Sequence, residues 1–203
     1  MTSRDPGDPS QPVAGDMTWG NPSNTNTVDM VDPTKSLMAE YLKSPGVWKC
    51  PADKYVDSLT GTRTRSIAMN SVFINSSRKD IADQIQGRTT MIVKKTSDLL
   101  KPGPSMSWVV LDEHPDSVND AQFFFAAGRL QSGAQWADLP ASYHYNGGAN
   151  FSFADGHAEI SKWRESTTKQ KVKQIWKWWQ PSGYFNVPGS ADYAWMNDRM
   201  PVE

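Results

Sequence analysis

Apolar and polar residues alternate most regularly over Phe151–Ile160, FSFADGHAEI, and the pattern predicts a β-hairpin. Its centre, Asp155-Gly156, is the dipeptide favoured by a two-residue type I′ turn, in which both central residues take positive φ. With that turn Ala154 faces His157, Phe153 faces Ala158, Ser152 faces Glu159 and Phe151 faces Ile160. Alternation then puts Phe151, Phe153, Ala158 and Ile160 on a core face, and Asn150, Ser152, His157 and Glu159 on the other. The wider stretch Pro140–Trp163 organises the reading of the chain, because it also holds two of the three histidines.

Met106–Asp112, MSWVVLD, predicts a second strand after the break at Pro102 and Pro104, with Trp108, Val110 and Asp112 on one face. Ala121–Ala127, AQFFFAA, predicts a third, so that strand, acidic loop and strand form a long hairpin. Thr168–Trp179 aligns Val172, Ile175, Trp176 and Trp179 on one helical stripe with lysines opposite, which predicts an amphipathic helix ended by Pro181. Leu37, Met38, Tyr41 and Leu42 predict a shorter helix between a Thr34 cap and the Pro45-Gly46 stop. Weaker patterns predict a strand at Val47–Cys50, a mixed β-prone segment at Arg65–Ile74 and a helical turn around Ile81 and Ile85. A strand at Met91–Val93 and a turn within Ala191–Arg199 complete the set. Residues 1–32 are rich in Pro, Gly, Asn, Ser and Thr without periodicity, and read as a flexible segment before a single domain over 33–203. The fold class is α+β: a small antiparallel β-sheet with flanking short helices and long loops.

Composition narrows the function classes. With 21 basic and 22 acidic residues the bulk charge offers nothing to nucleic acid or an anionic membrane. No apolar run reaches the ~18 residues of a membrane helix, and Met1–Gly20 lacks the pattern of a signal peptide. The one cysteine, Cys50, makes no internal disulfide and reads as a buried or formerly paired thiol. Nine tryptophans point first to aromatic packing, and second to a surface for a partner or a polysaccharide.

Two constellations carry candidate chemistry. The loop Asp112–Asp120 puts Asp112, Glu113, Asp116, Asn119 and Asp120 close together, a set of hard oxygen ligands suited to Ca²⁺; its plainer reading is a solvated acidic loop. His114, His144 and His157 each stand near a carboxylate. Gathered in one pocket, Asp112, His114, His144 and His157 would hold Zn²⁺ or Mn²⁺, with Glu113 or Asp155 as base, in a metal-dependent hydrolase of small esters or lactones. The alternative is that the histidines are structural and Asp155 is a turn residue. Nucleophilic catalysis has no motif here: there is no G-x-S-x-G elbow, and Gly147-Gly148 lacks the Lys-Ser/Thr of a phosphate loop.

WKCPAD (Trp48–Asp53), RSIAMN (Arg65–Asn70), LDEHPDSVND (Leu111–Asp120), ASYHYNGGANFSFADGHAEI (Ala141–Ile160) and DYAWMNDR (Asp192–Arg199) together resemble a family of bacterial prepilin-type proteins. That family is named for a His, nine residues, then Asp-Gly; here ten residues, Tyr145–Ala154, separate His144 from Asp155, and the apolar prepilin helix is not among these residues. The resemblance implies a head like that of type II secretion pseudopilins, often with calcium in a loop between strands. It also implies a periplasmic or cell-surface location, with other pilin-like subunits or a cell-surface partner.

Overall fold

The computed structural model describes residues 11–74, 92–127, 133–179 and 184–201. In chain order its elements are β1 (Val56–Asp57), β2 (Gly61–Thr62), β3 (Ile67–Asn70), β4 (Trp108–Asp112), β5 (Gln122–Phe123), β6 (Gln135–Trp136), β7 (Gly148–Phe153), β8 (Ala158–Lys162), β9 (Phe185–Asn186) and the helix α1 (Ala191–Asn197). The architecture is α+β. A five-stranded sheet in the order β5-β3-β4-β7-β8 is flanked by the two-stranded ribbons β1-β2 and β6-β9. The expected long hairpin of β4 and β5 does not form, because β3 lies between them and pairs parallel with β5 and antiparallel with β4.

The β7-β8 hairpin sits where alternation predicts it, one residue out of the expected register. Ser152 pairs with Ala158, Phe151 with Glu159 and Asn150 with Ile160. The turn is the cause: only Gly156 takes positive φ, at 93°, while Gly156 N–H donates to Phe153 O at 3.0 Å and Phe153 N–H donates to His157 O at 2.9 Å. That is a three-residue loop, a type I turn followed by a left-handed glycine, in place of a two-residue type I′ turn. A one-residue slip moves each side chain of one strand to the opposite face. Glu159 therefore shares the Phe151 side, His157 stacks on Phe153 at 4.3 Å, and Ile160 is exposed. On β8 the odd-numbered residues bond to β7. The amides and carbonyls of Ala158, Ile160 and Lys162 turn outward and have no partner among the described residues.

One face of the sheet builds the core. Trp108 is fully buried and meets the rings of Phe123, Phe125 and Phe151 edge-on at 5.7, 6.2 and 6.0 Å, while its Nε1–H donates to Met196 O of α1 at 3.3 Å. Such edge-to-face pairs match ring edge to ring face electrostatically. A bulge between Trp108 and Val110 breaks the expected alternation. Trp108 and Leu111 end in the core, whereas Val110 looks onto the opposite side.

Elsewhere, periodicity yields to specific partners. Thr168–Trp179 is not a helix: Lys173 and Gln174 donate their N–H groups to Asp116, and Gln174 and Lys177 take positive φ (58° and 40°). The segment after Thr34 shortens to a 3-10 turn, Leu37–Glu40, and Pro45–Trp48 is another 3-10 turn where a strand was expected. Around Val93 the chain is irregular. The turn expected near Ala191 is the helix α1, capped by Ser190 Oγ on Tyr193 N–H. The helical turn expected at Ile81 and Ile85 lies outside the described residues. Residues 11–32 are irregular apart from a 3-10 turn at Pro22–Thr25, yet Val13, Ala14, Met17 and Met30 are buried and Met17 N–H donates to Asn119 O at 2.7 Å.

Candidate metal centre

Three separate segments converge beside the end of β4. Asp112 closes that strand, and its carbonyl accepts Ala141 N–H at 2.8 Å, which draws the next loop alongside. That loop makes a tight turn with positive φ at Tyr145 (42°) and Asn146 (64°), Gly147 N–H donating to His144 O at 2.8 Å. The turn thus presents the His144 ring toward Asp112. Cys50 comes from the irregular N-terminal third, pinned by its N–H to Ser66 Oγ at 2.8 Å. The backbone amides of Ala52 and Asp53 stand near its sulfur, and Asp53 N–H donates to the Cys50 carbonyl at 3.1 Å.

His144 Nε2 lies 2.6 Å from Asp112 Oδ2, 3.4 Å from Cys50 Sγ and 3.1 Å from Asn150 Nδ2. The three potential ligand atoms of Cys50, Asp112 and His144 fall within 4.8 Å of one another, the one such group of His, Cys, Asp and Glu among the described residues. Burial pushes the Cys50 thiol above its ordinary value, with the Asp112 charge adding to the effect against the two amides. Burial likewise raises the Asp112 carboxyl, although His144 hydrogen-bonds it. Tyr143 lies beside this group, and burial followed by the Asp112 charge pushes its phenol up.

Chemically, the arrangement is not a nucleophilic triad. A general base that activates a thiol presents one ring nitrogen to sulfur and the other to its carboxylate. Here both Cys50 and Asp112 address the same nitrogen. One imidazole nitrogen forms a single strong bond, so three polar groups around it compete. A divalent cation between a thiolate, a carboxylate and a neutral imidazole would resolve that competition, and zinc is one ion such a mixed donor set could hold.

The other expected ligands are placed differently. Among the histidines, His114 is fully buried; its Nε2 donates to Gln170 O at 3.1 Å and its Nδ1 accepts Asp116 N–H at 3.1 Å, while burial lowers its pKa. His157 is exposed at the hairpin tip, where Nδ1 meets Asp155 Oδ1 at 2.6 Å. That hydrogen bond holds Asp155 below the usual carboxylate range and leaves it a turn residue. Among the described residues the three histidines share no partner.

In the acidic loop, Asp116 accepts from Trp19 Nε1 and from the amides of Lys173 and Gln174. Glu113 accepts from Ser117, and Asp120 from Gln122 N–H; burial raises both carboxyls. The loop carbonyls are taken as well. Arg63 donates to Met17 O and Pro115 O at 2.8 and 2.9 Å, and Arg65 to Asp120 O, Asn119 O and Gly15 O at 2.6, 3.0 and 3.0 Å. Two fully buried guanidinium groups thus stand where the loop would offer oxygens to an ion.

Local sequence signals found Asp112 and His144 but not Cys50 or Asn150. Cys50 and His144 lie 94 residues apart, and no spacing rule links them. Among the described residues no helix is long and apolar enough to cross a membrane. No family model, curated protein or solved structure matches the chain.

Proposed function

We propose that Cys50, Asp112 and His144 form a zinc centre, and that the chain uses it to hydrolyse small esters or lactones. The observation that carries this reading is the convergence of thiol, carboxylate and imidazole on one point among buried residues. Closed structural zinc sites use four protein ligands, whereas three ligands leave a position for water or substrate. Zinc in such a site lowers the pKa of its bound water to near 7 and supplies a nucleophile at neutral pH. Hydrolysis consumes one water, breaks the acyl carbon–oxygen bond and releases an acid and an alcohol. Asn150, whose side-chain amide stands 3.1 Å from His144 Nε2, orients polar groups arriving at the centre.

A second reading is favoured by where the ligands come from. They tie the N-terminal third, β4 and the loop before β7, so the same ion would also clamp a pseudopilin-like head that engages other subunits at a cell surface. Zinc analysis, melting with and without chelator, and turnover of p-nitrophenyl butyrate and a γ-lactone separate the two. The hydrolase reading expects about one zinc per chain, lost in Cys50→Ser and His144→Ala together with turnover. Zinc whose removal lowers the melting temperature, in a chain that turns over neither substrate, would favour the clamp. No zinc in the parent protein sinks both.

A further inference from the structure

On the sheet face opposite Trp108 runs a groove of about 540 Å³. Its floor is Ile67, Met69 and Val110, and Met38, Leu42 and Trp48 form its other wall. It ends at Asp112 and Asn150, which also belong to the Cys50–His144 cluster. We propose that this groove binds the apolar chain of an acyl ester or lactone, with the carbonyl at the Asp112–Asn150 end. The inference rests on the hydrolase reading for the fate of that carbonyl, and on the groove alone for the chain.

Two features select the occupant. The volume lies within the range of small-molecule sites, about 300–1,000 Å³. The lining is mostly apolar, and Asp112 and Asn150 stand together at the end shared with Cys50 and His144, while Ser152 lies farther along beside Val110. An ester or lactone with an apolar body satisfies both, and the continuity of groove and cluster fixes its direction.

Calorimetric titration of the intact chain with 2-hexanone and 2-nonanone, with zinc content measured in parallel, tests the assignment. Each added methylene should tighten binding about threefold, so 2-nonanone should bind at least tenfold more tightly than 2-hexanone. Filling the groove with Val110→Trp, or with Met69→Trp should the first variant misfold, should weaken 2-nonanone at least tenfold while zinc content stays unchanged. No binding of 2-nonanone, or equal binding in a folded filling variant, overturns the groove while a bound zinc keeps the centre. Absence of zinc with ketone binding still lost in the filling variant overturns the centre and upholds the groove.

Discussion

Asp116 Oδ1 accepts the backbone N–H of Gln174 at 2.9 Å, across 58 residues of sequence, and Oδ2 accepts that of Lys173 at 2.7 Å. This one carboxylate decides that Thr168–Trp179 is laid down as irregular chain. Asp116→Ala leaves both amides and the Trp19 indole N–H without their acceptor, a loss of about 3 kcal/mol. In a chain of this size the melting temperature should drop by roughly 6–12 °C. Asp116→Asn, which keeps one acceptor oxygen, should lose about half as much. A melting temperature unchanged in Asp116→Ala would show that the segment is held by its aromatic contacts instead.

Arg65 is fully buried and binds the carbonyls of Gly15, Asn119 and Asp120. Arg65→Met keeps much of the volume and removes every donor, so the loss should be about 3–5 kcal/mol. Millimolar calcium should not restore the melting temperature. Restoration by calcium, and not by magnesium, would show that the acidic loop is an ion cradle whose cation the guanidinium replaces.

Asp57 gives the pH dependence a definite sign. Desolvation works to raise its pKa, but the amides of Gly20 and Leu59 and the side chain of Asn24 outweigh it and hold it at about 2, below its ordinary 3.8. A group lowered in the folded state contributes its stability above the unfolded value and loses it as pH falls through the folded one. The stability gap between the parent and Asp57→Asn should therefore be constant above pH 3.8 and close as pH falls toward 2. Denaturant midpoints at a series of pH values check this; a gap that stays open at pH 2 would remove Asp57 from the acid transition.

Two glycines separate strain from collision. At Gly156 the φ of 93° is the only obstacle, since a Cβ there meets nothing within 4 Å, and Gly156→Ala should cost about 1 kcal/mol. At Gly148 a Cβ would sit 2.6 Å from the Ser161 carbonyl oxygen and 3.4 Å from that of His144. Gly148→Ala should cost about 2–4 kcal/mol and also shift the His144 turn, so zinc retention should weaken in this variant and not in Gly156→Ala. Equal zinc retention in the two would detach the turn from the centre.

How much of this the chain discloses depends on how local the cause is. The existence of β4, β7 and β8 follows from alternation and from the Pro and Asp-Gly boundaries, because those signals act over a few residues. The hairpin register does not, since Asp-Gly serves both a type I′ turn and a type I turn with a following left-handed glycine. The β4 bulge and the position of β3 between β4 and β5 depend on pairing across the sheet. Asp112 and His144 stood out as polar residues beside strand patterns. Cys50 joins them only through the path of a loop held by Ser66, which no periodicity encodes.

The outward amides and carbonyls of Ala158, Ile160 and Lys162 make β8 the unfinished side of the sheet. A second strand laid against it would complete a hydrogen-bond ladder, and the exposed Ile160 would favour the contact. Glu159 and Lys162 flank that isoleucine, so each arriving copy must bring matching charges into register or bury them unpaired. The strand carries its own gatekeepers against edge pairing: conditions that neutralise Glu159 or Lys162 would be the ones under which two copies pair through β8.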